Sequence, residues 1–305
     1  MNYVLNMYSG NGKYSFWGNK IFRLWKMENI LLANGIGLPA VGFGSYKVSE
    51  GQDGTRVVKD ALLAGYRLID TAAMYKNEEQ VGKAIRESGI RRNEILLTSK
   101  VANTNRGYDS TLRAFDESLR RLETDYLDLY LIHWPADKAR EKDWRNVNAE
   151  TWRALERLLK EGRARAIGVS NFMKEHLVAL SETADILPMV NQIEFHPGWM
   201  QREVYDWCVE CGIVIEGWSP LGRTRVLNDP LLIRIAERYS KSVAQICLRW
   251  AVQLGVIPLP KSVNPERMKS NIDIFDFTLS EEDMKLIESM PATGESGLSP
   301  DNITF

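Results

Sequence analysis

The residues of this chain best suited to chemistry are Asp70, Tyr75, Lys100 and His133. Three of them end apolar runs: Tyr66-Arg67-Leu68-Ile69 precedes Asp70, Ile95-Leu96-Leu97-Thr98-Ser99 precedes Lys100, and Leu127-Asp128-Leu129-Tyr130-Leu131-Ile132 precedes His133. Such runs read as buried parallel strands, and a charge or ring at the tip is where chemistry can sit. A phenol with a pKa of about 10 is a poor proton donor at neutral pH. An ammonium beside it favours phenolate, so Lys100 is expected to lower the pKa of Tyr75, with Asp70 keeping Lys100 charged and oriented. His133 then either positions a carbonyl by hydrogen bonding or shares the proton. Singly, these residues also read as a buried ion pair, a rim aromatic and a core histidine. Four complementary groups on neighbouring tips point to an acid/base site.

To bring those tips together the chain must alternate strands and helices. Strands are predicted near 41–44, 67–70, 95–99, 128–133, 165–169, 189–194, 213–217 and 256–260. Amphipathic helices are predicted near 53–63, 77–87, 109–121, 149–161, 173–183, 200–210, 229–239 and 242–253. This alternation specifies right-handed βαβ units, and eight parallel strands suggest closure into an α/β (β/α)8 TIM barrel. Ile30 to Leu38, with an Asn34-Gly35 turn, reads as an N-terminal β-hairpin that plugs the barrel floor. In a closed barrel every C-terminal strand end faces one mouth. Read in order, the ends offer Tyr46, Asp70 with Tyr75, Lys100, His133 with Trp134, Ser170 with Asn171, Gln192, Trp218 with Ser219, and Lys261 with Ser262. Ser170-Asn171 taken alone also fits a helix cap.

At 305 residues and 44% hydrophobic the chain can fill one large core, and its net charge of -1 offers no field for nucleic acid or anionic lipid. No apolar stretch is long enough to span a membrane, and three cysteines build no disulfide framework. A cytoplasmic monomer acting on a small molecule is expected. Residues 1–26 lack the order of features that makes a signal peptide and are expected to be a loosely attached or disordered extension, with the domain spanning 27–305. Gly35-Ile36-Gly37-Leu38-Pro39-Ala40 imitates a dinucleotide fingerprint, but Pro39 and the Asn-Gly turn indicate a hairpin where a Rossmann fold needs a strand and a helix. Cys208-Val209-Glu210-Cys211 has redox spacing yet falls late in a helix, so both cysteines are expected to be buried. His176 and His196 have no partner at zinc-ligand spacing, and no metal is expected.

From about Ile30 to Phe305 the chain resembles the aldo-keto reductases. The matching signatures are Gly65-Tyr66-Arg67-Leu68-Ile69-Asp70-Thr71-Ala72 with Tyr75 and Asn77-Glu78, Thr98-Ser99-Lys100, Leu131-Ile132-His133-Trp134-Pro135, Gly168-Val169-Ser170-Asn171-Phe172, Asn191-Gln192 and Pro260-Lys261-Ser262. The short connections and brief tail resemble compact microbial members related to diketogluconate reductases and prostaglandin F synthase-like enzymes. The resemblance implies reduction of aldehydes and ketones by hydride from NADPH, with Tyr75 as general acid supported by Lys100, Asp70 and His133. It further implies that Ser170, Asn171 and Gln192 bind the carboxamide of the cofactor and that Trp218 stacks on the nicotinamide. Ser219 and Leu221 border the cofactor, and Tyr46, Trp134 and His133 border the substrate. Lys261, Ser262, Asn264, Arg267 and Asn271 correspond to the adenosine-phosphate pocket, and Leu221 to Asn228 to a loop covering the pyrophosphate. Ser270 departs from the family, many members of which carry Glu or Gln there against the adenine. Potassium-channel β subunits share this barrel and bind NADP, so a cofactor-sensing binding module is the alternative to a reductase.

Overall fold

Continuous apolar runs separated by amphipathic segments produce strands shielded on both faces. In a computed structural model, which describes residues 29–48, 52–136 and 141–303, these strands form a ring. Two antiparallel strands, β1 (Ile30–Leu31) and β2 (Gly37–Leu38), come first. There follow β3 (Phe43–Gly44), α1 (Gln52–Ala64), β4 (Leu68–Asp70), α2 (Glu78–Glu87), β5 (Leu96–Val101), α3 (Tyr108–Leu122), β6 (Leu127–Ile132), α4 (Trp144–Lys160), β7 (Ala164–Ser170) and α5 (Lys174–Ser181). The chain continues through β8 (Val190–Glu194), α6 (Arg202–Glu210), β9 (Val214–Trp218), α7 (Pro230–Tyr239), α8 (Val243–Gln253), β10 (Ile257–Leu259), α9 (Pro265–Ile272) and α10 (Glu281–Glu288). Strands β3 to β10 pair in sequence order, each parallel to the next. Backbone hydrogen bonds from Gly42 N to Pro258 O (3.1 Å) and Gly44 N to Pro260 O (3.2 Å) join the last strand to the first. The expected (β/α)8 barrel with its hairpin is therefore the observed architecture. The expected extension, residues 1–26, lies outside the described residues.

Two cores hold it. Inside the ring, Leu68, Leu129, Leu131, Ala166, Val190, Ile257 and Leu259 pack on Leu32 and Leu38 of the hairpin, which closes the floor. The hairpin is pinned by Asn34 Nδ2 donating to Arg165 O at 2.9 Å, and Gly35 supplies the positive φ (84°) its turn requires. The larger core lies between strands and helices, with Trp152, Trp250, Phe115 and Phe172 almost fully buried. Strand alternation divides the side chains between them: on β5, Leu97 and Val101 join the outer core, which turns Lys100 inward.

Some bounds differ from expectation. Helix α4 begins at Trp144 instead of 149, because its first turn is fixed by polar contacts that leave no apolar period. Asn146 Nδ2 donates to Asp143 (3.1 Å), and buried Asn148 exchanges two hydrogen bonds with the Ala136 backbone (2.7 and 3.0 Å). Helix α10 has no counterpart in the predicted elements: it docks through buried Asp283, which accepts from the Arg238 guanidinium and from Tyr239 Oη (2.7 Å). The late cysteines of α6 divide, Cys208 being buried and Cys211 exposed, because Cys211 caps the helix end where the chain turns outward.

Candidate active site

Asp70 ends β4, Lys100 lies one residue before the end of β5, and His133 directly follows β6, so neighbouring strands deliver all three to one rim. Tyr75 joins them through a short 3-10 turn, Ala73–Tyr75, which brings the phenol to Lys100. Lys100 Nζ is fully buried and bonds Asp70 Oδ1 (2.8 Å), Asp70 Oδ2 (2.6 Å), Thr71 O (3.1 Å) and Tyr75 Oη (3.4 Å). A buried ammonium without such partners would lose its charge. Here burial alone would lower the Lys100 pKa, but Asp70 and Tyr75 outweigh it and hold the value above the ordinary one.

The expected lowering of the Tyr75 pKa is not what the site produces. Burial pushes it up to about 12; Lys100 opposes that rise, and the charge of Asp70 adds to it. Desolvation of the phenolate outweighs the single ammonium, whose charge Asp70 already offsets. His133, 5.5 Å from Tyr75 between ring centroids, is driven well below its ordinary pKa by burial and by Lys100, which makes it a neutral imidazole at physiological pH. Its Nδ1 has no hydrogen-bond partner among the described residues. Tyr46, half exposed, stacks obliquely on Tyr75 at 5.0 Å, and Trp134 is buried beside His133 in sequence.

A second polar chain runs along the same rim. Asn171, held in the left-handed region (φ 62°), donates from Nδ2 to His133 O and Ser170 Oγ (both 3.0 Å) and accepts from Trp218 Nε1 (2.8 Å). Ser170 Oγ in turn donates to Gln192 O at 2.8 Å. The Ser170-Asn171 pair does not cap a helix, since α5 starts at Lys174 after Met173. Gln192 sits within β8 and points into the ring, where Nε2 bridges Asp70 Oδ2 (2.9 Å) and Glu216 Oε2 (2.8 Å). Ser219 contributes backbone, its carbonyl accepting from Gly222 N, and Leu221 packs against the outer core. In the segment that follows, Arg223 lies 6.0 Å from the Trp218 ring and the Arg225 guanidinium bonds Glu295 O.

Lys261 and Ser262 follow β10, and Arg267 and Asn271 lie on α9. Asn264 caps α9 through Arg267 N (3.0 Å), which presents Arg267 to solvent. The Lys261 pKa is lowered by partial burial and by the like charges of Lys47 and Arg267. Mutually repelling cations of this kind are suited to an anion. Sequence reasoning missed Lys47, because only closure of β3 onto β10 brings it near Lys261, and it missed Glu216. Glu216 had a signal: in a ring of strands buried on both faces, an acid in the middle of β9 must be buried. The motif residues Asn77 and Glu78 brace the scaffold, Asn77 through Thr71 Oγ1 (2.7 Å) and Ser45 O (2.9 Å), Glu78 through Ser99 Oγ and Arg121 Nε (both 2.6 Å). Among the described residues no group of three or more His, Cys, Asp or Glu side chains could hold a metal ion, and no helix is long and apolar enough to cross a membrane.

A (β/α)8 barrel with this rim defines a class, and the comparisons give it a family: residues 35–291 match the aldo/keto reductase family, to which the chain belongs. Among its relatives, glyoxal reductase of Bacillus subtilis (strain 168) is 51% identical over 278 residues, covering 91% of this chain and 98% of that protein. The 9,11-endoperoxide prostaglandin H2 reductase of Trypanosoma cruzi (strain CL Brener) is 42% identical over 276 residues, 90% of this chain and 95% of that one. A crystal structure of a Gox0644 mutant in complex with NADPH superposes with a TM-score of 0.85 at 42% identity, covering 92% of this chain and all of that one.

Proposed function

We propose that the protein reduces small aldehydes and ketones to alcohols with NADPH, Tyr75 giving the proton. The observation that carries this is the Asp70–Lys100–Tyr75 chain, with Lys100 Nζ held by both carboxylate oxygens and in reach of Tyr75 Oη. A bound NADPH supplies a hydride to the carbonyl carbon. The carbonyl oxygen, gaining negative charge, takes the proton from Tyr75 Oη, and Lys100 stabilises the phenolate left behind. Asp70 keeps Lys100 charged and immobile throughout. Neutral His133 orients the carbonyl oxygen without competing as an acid, and Tyr46 and Trp134 flank the substrate.

The residues present suit the cofactor at both ends. The Lys47, Lys261 and Arg267 cations await an anion such as a 2′-phosphate, with Ser262 and Asn271 beside them. Ser170, Asn171 and Gln192 form a polar edge for the carboxamide, Trp218 offers a ring face, and Ser219 and Leu221 start the segment over the pyrophosphate. The neighbour bound to NADPH supports the same choice of cofactor. The reductase unit is residues 27–305. It acts as a monomer, and in the cytoplasm, where three free thiols persist.

Tyr75→Phe tests the reading because it removes the donor and keeps the ring. Carbonyl reduction should fall by at least roughly 10²-fold with NADPH affinity little changed. Undiminished steady-state turnover would remove Tyr75 from the chemistry. Protein that quenches NADPH fluorescence but oxidises it with no member of a broad aldehyde panel would instead be a cofactor-sensing module.

A further inference from the structure

Beneath the tetrad lies a carboxyl that the proposed chemistry does not use. Glu216, in the middle of β9 and fully buried, turns into the ring. Its Oε2 accepts from Gln192 Nε2 at 2.8 Å, and the same amide nitrogen donates to Asp70 Oδ2 at 2.9 Å. Glu216 Oε1 has no hydrogen-bond partner among the described residues. One amide therefore ties two buried carboxylates together, and a single ammonium, Lys100, lies on the far side of one of them. The charges balance with Glu216 protonated and leave a net negative interior with it ionised. Two acidic acceptors also fix the Gln192 amide, whose NH2 must face them.

We propose that Glu216 is a positioning residue of the reductive site, linked through Gln192 to the Asp70–Lys100 pair, and that its protonation state sets how readily Tyr75 releases a proton. This rests on the reading of Tyr75 given above. Ionised Glu216 adds a negative charge to the chain, which disfavours phenolate and makes Tyr75 the weaker acid; protonated Glu216 does the reverse. Burial first, and then the charge of Asp70, raise the Glu216 pKa to about 7, while Gln192 and Lys100 act in the opposite sense. Among the described residues Asp70 and Lys100 are the charged groups that face it. On one side β8 presents Gln192, and Glu194 of that strand is engaged by Ser296 N and Oγ; on the other side β10 meets it with Ile257 in register.

The consequences are visible in the pH dependence of reductive kcat. As pH rises through about 7, kcat should step down shallowly as Glu216 ionises, and fall steeply only at higher pH as Tyr75 loses its proton. Glu216→Gln keeps the shape and removes the titration. It should abolish the shallow step and move the steep limb down by about one pH unit, because the charge that held the phenol proton is gone. Infrared difference spectra of the wild-type protein between about pH 6 and about pH 8 should show a protonated-carboxyl band disappearing, and Glu216→Gln should lack it. Stability follows the same sign: a carboxyl whose folded pKa is raised stabilises the fold fully below its unfolded pKa of about 4.3 and loses that contribution progressively up to about pH 7, so the wild type should lose Tm relative to Glu216→Gln across that interval and no further above it.

Superimposable kcat profiles for wild type and Glu216→Gln would overturn the inference, as would absence of the infrared band. Should Glu216→Gln not fold, the wild type decides alone: a kcat step coinciding with the infrared midpoint supports the coupling, and kcat flat through that midpoint refutes it. If Tyr75→Phe keeps its activity, the reading of Tyr75 fails while the infrared titration of Glu216 still stands. If Tyr75→Phe is inactive and the Glu216→Gln profile is unmoved, only the present inference fails.

Discussion

At the scale of single residues, the two ends of the proposed cofactor site are built on opposite electrostatic plans. Around Lys100 every donor is used: Asp70, Thr71 and Tyr75 surround a fully buried ammonium. Around Lys261 the charges are uncompensated among the described residues, with Lys47 and Arg267 nearby and the lysine itself exposed. A ligand carrying a phosphate there gains charge-assisted bonds, each worth about 1.5–3 kcal/mol. Replacing Lys261 and Arg267 together with alanine should therefore weaken NADPH roughly 10²-fold or more while changing NADH little, since NADH lacks that phosphate. Fluorescence titration with both cofactors checks this, and equal losses would place these side chains elsewhere. Asp70, Lys100 and His133 were legible in the sequence because each ends or follows an apolar run, where a buried polar group is conspicuous, and Tyr75 was legible through its spacing from Asp70 in the family motif. Glu216 and Lys47 were not singled out. Glu216 carried a signal, an acid inside a strand buried on both faces, but it ends no apolar run and matches no motif, and a lysine after Tyr46 has no local pattern at all.

At the scale of elements, helix ends set the positions of the segments that border the site. Helix α7 opens with Asp229, whose Oδ1 accepts from Leu231 N (2.9 Å) and Leu232 N (3.1 Å), followed by Pro230 in the first turn. The same helix start ends the 3-10 segment Gly222–Asn228, which carries Arg223 and Arg225. Asp229→Ala leaves two helix amides without an acceptor and should cost about 1 kcal/mol of stability, measured as a lower Tm or a lower urea midpoint at unchanged slope. A mutant with unaltered stability would show that the cap is replaceable by solvent. Where apolar periodicity dominates, as in α1 with Val57, Val58, Ala61 and Leu62 buried, the predicted and observed helices nearly coincide. Where a helix docks by polar contacts, as at the start of α4, the sequence offers no period to read, and the short α10 has only Met284 and Ile287 beside Asp283 to mark its packed face.

At the scale of the whole molecule, the ring is layered: an apolar floor under the hairpin, a polar stratum of Asp70, Lys100, Gln192 and Glu216, and a rim of Tyr75, His133, Asn171 and Trp218. The architecture was readable from the alternation of elements alone. What the alternation left open was the contact between strands far apart in sequence, and the seam between β10 and β3 is the extreme case. Its two hydrogen bonds join residues near the two ends of the described chain. Contacts of such long range bear the greatest loop-closure entropy and form late in folding. Tyr46 and Lys47 stand on one side of that seam and Lys261 on the other, so the proposed cofactor pocket is finished only when the ring shuts. In pulse-labelling hydrogen exchange during refolding, the amides of Gly42 and Gly44 should be among the last to gain protection, and NADPH binding should appear in step with them. Early protection there would mean that the seam nucleates the barrel. Recovery of cofactor binding is thus a clock for the slowest event in the life of the fold, the meeting of its first and last strands.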